Sequence, residues 1–469
     1  KVAMEYLIRF IQTHETFRRA EINALAELNG LNIEWLIYSD NSPFAIIRFA
    51  GQVDHIEACK SLVSRSVSTF GIHELWGTGK TYDELHADIC HRTETLWEQY
   101  RDPSFRFEVD CCHGSRSSSE QRKIMESFHY MGMEGPIVMN KPDHHFTIFE
   151  DYDLHTRIPR QLYFGRLMAE SGRKAIAKYS LKKRKYIHTT SMDAELSLIT
   201  ANLALAAPGR LAYDPFMGTG SFPLACAHFG STVFGSDMDG RSIRGKKDRS
   251  VQANFVQYGT TGFYLDGFAA DLTNTPLRAY RYLDSIVCDP PYGVREGLRV
   301  LGSNKASLRA EVLLKDGTPA HLKSDYIPPK KPYSFLRMID DILDFSATTL
   351  VDNGRLCMWM PVAGAVEDTV DPDAAAVAIS DETPGTEKEY AIPEHPCLAL
   401  VSHCRQDFNK WSRRLLSYRR RKDSEINGDS LSAYRLHRSQ LQEDHLSNTG
   451  SADDLNDFRR KYFQGFKDC

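Results

Sequence analysis

Asp289, Pro290 and Tyr292 are the residues of this chain best suited by type and spacing to do chemistry. They lie in residues 284–293, Asp-Ser-Ile-Val-Cys-Asp-Pro-Pro-Tyr-Gly, where the apolar run Ile286-Val287-Cys288 predicts a buried strand. The strand must stop at Asp289, because Pro290 and Pro291 have no N–H with which to continue a central ladder. Asp289 and Tyr292 therefore sit on a stiff turn at the carboxyl end of a strand, where open α/β sheets bind ligands. An exocyclic amino group on a base is a poor nucleophile, since its lone pair is delocalised into the ring. The Asp289 carboxylate and the Pro290 carbonyl, accepting its two N–H bonds, would localise that lone pair while the Tyr292 ring stacks on the base. Taken alone, the same residues also fit an ordinary Asp-Pro-Pro turn, so the motifs around them decide.

Those motifs lie upstream. Ser191 or Asp193 can cap a helix that carries Leu196, Ile199, Leu203 and Leu205 at helical spacing and ends at Pro208-Gly209. A short strand over 210–213 then runs into Asp214-Pro-Phe-Met-Gly-Thr-Gly-Ser221 and a helix over 222–228. Phe216 lies in that turn, and Gly218 and Gly220 let backbone approach a ligand at a helix N-terminus. The strand 232–235 leads to Asp237, placed to accept both hydroxyls of a ribose, and a helix is predicted over 241–258. Residues 263–269 lead to Asp271, which could accept from the amino group of an adenine. The predicted cofactor set is therefore Ser191, Asp214, Phe216, Gly218, Gly220, Asp237 and Asp271. Strand ends carrying Asp214, Asp237, Asp271 and Asp289 in order converge along one edge of a parallel sheet. An acidic edge repels polyphosphates and favours a cationic adenosine derivative, which points to S-adenosylmethionine. NAD-dependent oxidoreduction is disfavoured, because Asp214-x-x-x-Gly-x-Gly lacks the third glycine of the dinucleotide fingerprint.

The elements that must position these residues fall into segments. Residues 1–78 read as strand 6–11, helix 20–28, strands 33–38 and 45–49 around the turn Asp40-Asn41-Ser42-Pro43, helix 55–64 and strand 69–75. That βαββαβ order is ferredoxin-like. Residues 79–187 carry predicted helices at 81–92 and 119–130 and strands at 105–110, 135–139, 146–149 and 161–164. Their informative feature is charge: Arg173, Lys174, Lys178, Lys182, Lys183, Arg184 and Lys185 occur without an acid, beside Tyr179 and Tyr186. Such interleaving suits phosphate contact plus base stacking, and equally a solvated linker. An α/β alternation follows over 188–422, with a helix at 333–350, strands at 354–360, 398–403 and 413–418, and insertions at 295–331 and 364–390. The stretch 367–389 is acidic and rich in Ala, Pro and Thr, the composition of a disordered segment. Residues 423–469 form a polar tail in which Phe458, Tyr462, Phe463 and Phe466 recur at roughly helical spacing and could dock on a surface.

Composition narrows the classes further. A net charge of −4 over 469 residues means that any nucleic-acid surface is a local patch. Ten cysteines without a C-x-x-C pair favour reduced thiols in a reducing compartment, hence a cytoplasmic protein. Cys397, His403 and Cys404 read as a core cluster near a strand, and no metal site is expected. No apolar run is long enough to span a bilayer, and no membrane association is expected.

With these motifs in view the chain resembles the family of eukaryotic tRNA guanine-10 N2-methyltransferase catalytic subunits. The resemblance rests on Thr190-Ser-Met-Asp-Ala-Glu-Leu196, Asp214-Pro-Phe-Met-Gly-Thr-Gly-Ser221, Gly235-Ser-Asp237 and Asp289-Pro-Pro-Tyr-Gly-Val-Arg-Glu-Gly297, and covers most of the chain. Thr189 stands where the family pattern has a proline. The resemblance implies a ferredoxin-like domain, a THUMP domain that holds the acceptor end of tRNA, and a Rossmann-like methyltransferase domain, an α/β class I architecture. It implies a tRNA substrate, S-adenosylmethionine as methyl donor and a small zinc-binding activator subunit; the charge of the basic run itself marks Arg173, Lys174, Lys182, Lys183, Arg184 and Lys185 as the expected RNA contacts. The rival readings are methylation of adenine N6 or of a glutamine amide by the same turn, and a non-catalytic RNA-binding scaffold.

Overall fold

The computed structural model describes residues 4–153, 156–294, 298–303, 311–323, 326, 328–362, 391–408, 411–447, 456 and 458. The acidic stretch 367–389 and Tyr462, Phe463 and Phe466 lie outside the described residues. The chain divides into two compact units, Lys1–Ala175 and Ile176–Cys469.

The first unit opens with β1 (Tyr6–Phe10), α1 (Glu15–Leu28), β2 (Ile33–Ile37), β3 (Phe44–Phe49), α2 (His55–Val63) and β4 (Thr69–Gly79), the βαββαβ order read from the sequence. It continues through α3 (Tyr82–Thr93), β5 (Phe105–Cys112), α4 (Ser118–Glu126), β6 (His144–Tyr152) and β7 (Pro159–Glu170). All seven strands join one sheet in the order β2-β3-β1-β4-β7-β6-β5. Strand β4 runs four residues past the predicted end at Leu75 and pairs with β7, so the two predicted N-terminal segments share a single ladder. The strand predicted over 135–139 is absent. Its Ile137 makes only an isolated bridge to Phe105, because Pro136 has no N–H to give and Ile137 and Met139 are exposed.

The helix α5 (Lys174–Tyr179) spans the junction between the units. The second unit then runs α6 (Ala194–Leu203), β8 (Leu211–Asp214), α7 (Ser221–His228), β9 (Thr232–Asp237), α8 (Gly240–Arg244), α9 (Val251–Tyr258), β10 (Tyr264–Ala269) and β11 (Leu283–Cys288). After the small hairpin β12 (Arg299–Leu301) and β13 (Lys330–Pro332) come α10 (Phe335–Thr349), β14 (Leu350–Val362), β15 (Leu398–Asp407), β16 (Ser412–Arg420) and α11 (Gly428–Ser447). The seven-stranded sheet has the order β10-β9-β8-β11-β14-β16-β15. It is parallel through β14 and antiparallel at β16 and β15, a Rossmann-like layout whose strand order reverses between β8 and β11.

Strand β11 is buried almost throughout, as a parallel strand covered on both faces must be, and Ile286 and Cys288 pack with Tyr213, Met338, Ile342, Leu356 and Met358. The single helix predicted over 241–258 is broken into α8 and α9 at Gly245. Its φ of +60° is left-handed, and a Cβ there would lie 1.8 Å from the Arg249 carbonyl oxygen. Helix α11 lies in the stretch the sequence marks only as polar, and Arg438 ties it to Asp341 and to the Asp340 carbonyl.

Candidate active site

The reversal of strand order between β8 and β11 opens a crevice, and the acids at those strand ends line it. A cavity of about 410 Å³ is bounded by Ser191, Asp214, Phe216, Gly218, Asp237, Asp271, Asp289, Pro290 and Tyr292. Gly220 does not face the cavity. It sits behind the turn at the start of α7 with φ +84°, and a Cβ would press on Val251 at 3.1 Å.

Each acid is held by local backbone. Asp214, 1% exposed at the end of β8, accepts from the Phe216 amide at 2.9 Å. Asp237 accepts from the Gly218 amide with one oxygen and from the Asp239 amide with the other, both at 2.9 Å. The glycine turn and the acid at the end of β9 therefore fix one another, with lone pairs left over for a ligand. Ser191 Oγ bonds Thr219 Oγ1 at 2.7 Å and accepts from the His188 amide, anchoring the segment before α6 to the same turn. Asp193, not Ser191, caps α6. Asp271 is more committed than the sequence suggests: one oxygen accepts from the Thr273 amide and hydroxyl, the other from the Leu301 amide at 2.7 Å. An adenine amino group would have to share an oxygen that already fastens β12.

Asp289 follows β11 where the prolines end it. Its Oδ1 accepts from the Tyr292 hydroxyl at 2.6 Å, so the ring predicted to stack on a base is oriented by the neighbouring acid itself. Tyr292 also meets Trp411 and Phe458 edge-on, and Asn456 donates to the Tyr292 carbonyl at 2.9 Å. Phe458 belongs to the aromatic set expected to dock on a surface, and it packs on this turn; Trp411 and Asn456 escape the sequence reading, since they join the turn from more than a hundred residues away and carry no local motif.

Burial sets the electrostatics. It holds the Asp214 carboxyl well above the usual carboxylate range, and Asp237 and Asp289 push the same way against the Phe216 amide. Burial also raises Asp237, opposed by the amides of Asp239 and Gly218, and raises Asp289, opposed by Arg413 and the Tyr292 hydroxyl. A cationic ligand eases the ionisation of all three. The glycine approach, the ribose-competent Asp237 and this charge fit S-adenosylmethionine, and the volume is that of a cofactor cleft.

The basic run divides. Lys174, Lys182, Lys183 and Lys185 are exposed. Arg173 is half-buried and donates to the Val67 carbonyl. Arg184 corrects the prediction of an RNA contact: it is 6% exposed and spends its guanidinium on Ser221 Oγ at 2.7 Å and the Tyr179 carbonyl. Tyr179 and Tyr186 are buried too, the latter donating to the Ser242 carbonyl, so neither ring offers a stacking platform. Their apolar bodies serve the core, which charge spacing alone does not reveal.

Comparison with known proteins gives the same two parts. The family described as Tmrp11 THUMP N-terminal domain matches residues 4–173, and the one described as RMKL-like, methyltransferase domain matches residues 182–302. The chain is 41% identical to the tRNA (guanine(10)-N(2))-methyltransferase of Saccharomyces cerevisiae over 98% of its own length and 99% of that protein. It is 35% identical to the Schizosaccharomyces pombe protein of that name, over 88% of this chain and 89% of that one. Against the Homo sapiens tRNA (guanine(10)-N(2))-methyltransferase TRMT11 the identity is 32%, over 98% of this chain and 95% of that one. Identity sustained through both units, around a crevice built from the residues that carry the motifs, means that the chain belongs to the tRNA (guanine(10)-N(2))-methyltransferase family.

Proposed function

We propose that the chain is the catalytic subunit that transfers a methyl group from S-adenosylmethionine to the exocyclic N2 of guanosine 10 in tRNA. The observation that carries the reading is Asp289, braced by Tyr292 at the tip of β11 and opening on the cavity that Asp237 and the Gly218 turn also line. S-adenosylmethionine supplies a methyl carbon on a cationic sulfur, and the carboxylates of the cavity favour that charge. Asp237 keeps lone pairs for the ribose hydroxyls. Asp289 and the Pro290 carbonyl accept the N2–H bonds, and Tyr292 stacks on the guanine. The N2 lone pair then forms the new N–C bond while the C–S bond breaks and its electron pair stays on sulfur; the surplus proton leaves N2, with Asp289 as the nearest acceptor. Positioning and polarisation supply the catalysis, without a strong base.

In this reading residues 1–78 and 79–187 form the RNA-binding half and 188–422 the catalytic domain, with Lys174, Lys182, Lys183 and Lys185 as phosphate contacts. A small zinc-binding activator completes the enzyme. In support, β10 is an edge strand with Leu265 63% exposed, near Val256 at 59% and Phe263 at 38%, a surface suited to a partner. A reducing, cytoplasmic setting agrees with the free thiols of the nine described cysteines. No described helix is long and apolar enough to cross a membrane.

The test is methyl transfer from labelled S-adenosylmethionine to bulk tRNA, with and without the activator, followed by nucleoside analysis. N2-methylguanosine formed only with the activator is the expected result. Cofactor binding without labelled tRNA in either sample would turn the reading to N6-adenine or glutamine-amide substrates, and no cofactor binding would favour the scaffold.

A further inference from the structure

Arg413, on β16, reaches the catalytic turn from the antiparallel part of the sheet. Its Nη1 lies 3.8 Å from Asp289 Oδ2, and its side chain is 14% exposed. The guanidinium is caged. Nε donates to Gln406 Oε1 at 2.7 Å, Nη2 lies 3.2 Å from the Met192 sulfur, and the group sits 4.6 Å over the Trp359 ring with Phe408 at 5.5 Å. Trp359 is itself immobilised, fully buried and donating to Thr200 Oγ1. A cation packed between aromatic faces and tied at Nε cannot follow solvent, so its charge is fixed beside one carboxylate.

We propose that Arg413 is a positioning residue for methyl transfer: it keeps Asp289 ionised and in one orientation, ready to accept an N–H of the target amine. The inference rests on the assignment of Asp289 to that amine. The groups that face Asp289 are Asp214 from β8, Cys288 and Tyr292 from its own strand and turn, and Arg413 from β16. Asp214 and burial oppose ionisation. The Tyr292 hydroxyl favours it by a hydrogen bond, and Arg413 is the cation within 4.0 Å among the described residues. Without Arg413 the acid would hold its proton to higher pH. A protonated Asp289 offers the amine one acceptor fewer and competes with it as a donor.

The experiment is the pH–rate profile of N2-methylguanosine formation by the full chain with its activator, for the unaltered enzyme, Arg413→Gln and Arg413→Lys, alongside S-adenosylmethionine affinity by calorimetry. Loss of an opposite charge at this distance should move the acid limb of kcat for Arg413→Gln upward by about one pH unit or more. Cofactor affinity should stay within about twofold, since Arg413 does not line the cavity. Arg413→Lys should return the limb part of the way, because an ammonium keeps the charge but not the planar stack. An acid limb that stays in place in Arg413→Gln overturns the proposal. Where Arg413→Gln loses its cooperative thermal transition, Gln406→Ala decides: it frees Nε and keeps the cation, so a smaller upward shift supports the role and an unmoved limb overturns it. An unaltered enzyme that makes no N2-methylguanosine refutes the amine assignment instead, so the two failures are distinct.

Discussion

In the N-terminal sheet Glu150 is fully buried, and Arg116 forks onto it at 2.9 and 3.0 Å while Tyr82, Tyr152 and Cys111 donate to the same carboxylate. Glu21 is answered by Ser66, Ser68 and the Val67 amide, and Glu74 by Arg166 and Trp76. In the C-terminal sheet Asp214 has one amide, Asp237 two, and Asp289 a hydroxyl and a guanidinium at 3.8 Å. The two sheets bury acids for different ends. Saturated carboxylates lock elements together, whereas under-supplied ones at parallel strand tips retain capacity for a ligand. Glu150 and Asp214 show the contrast: burial of Glu150 is outweighed by the hydrogen bonds of Arg116, Tyr152 and Tyr82, which pull it down, while burial wins at Asp214 and pushes it up.

The largest expected effect that would sharpen this contrast is on turnover. Asp289→Ala should lower single-turnover methylation by roughly two to three orders of magnitude, as for loss of one polarising group, while the melting transition and cofactor affinity change little. Unimpaired methylation would remove Asp289 from the chemistry. Glu150→Ala should act in the opposite sense, leaving Arg116 without its partner and destabilising the first unit by about 3 kcal/mol. Urea unfolding followed by hydrogen exchange in β6 would measure it, and an unchanged midpoint would break the comparison.

A smaller effect separates the sheets by acid. Glu150 is depressed, so its stabilisation is present above the ordinary carboxylate pKa and is lost as pH falls through its folded value. Asp214 is raised, so the folded state holds its proton where the unfolded chain does not, and its ionisation cost shrinks as pH falls. Corrected exchange protection should therefore decline in β6 on acidification before it declines in β8. The smallest effect concerns the exposed lysines. Neutralising Lys182, Lys183 and Lys185 together should reduce the slope of log affinity for tRNA against log salt by up to about 3, with little change at saturating tRNA.

Much of this was legible locally. The βαββαβ order and the run Ile286-Val287-Cys288 before Asp289 follow from side-chain alternation and from what proline cannot do, and each needs only a few neighbouring residues. The Asp214 and Asp237 turns were legible for the same reason. What escaped depends on distant partners. The run 173–185 does not disclose that Arg184 turns inward to Ser221, whereas the segment 135–139 carries its own warning in Pro136, masked by the apolar residues that follow it. Arg413 and Trp411 gain their meaning only when β16 folds antiparallel beside β14. The place of Asp271 at a strand end suggests a ligand for a base, but the Leu301 amide that binds it arrives thirty residues later.

The contact of Asn456 with Tyr292 also has a history in time, because the two residues are separated by 164 positions. A ribosome adding about 5–20 residues per second leaves on the order of ten to thirty seconds between them. When that interval opens β8, β9 and β10 have been synthesised; β14 and β16 follow within it, and the residue that steadies the Tyr292 carbonyl comes only at its end. The Asp289–Tyr292 turn is thus among the last parts of the protein to acquire all its neighbours, and a nascent or truncated chain carries the motif long before it carries the complete site.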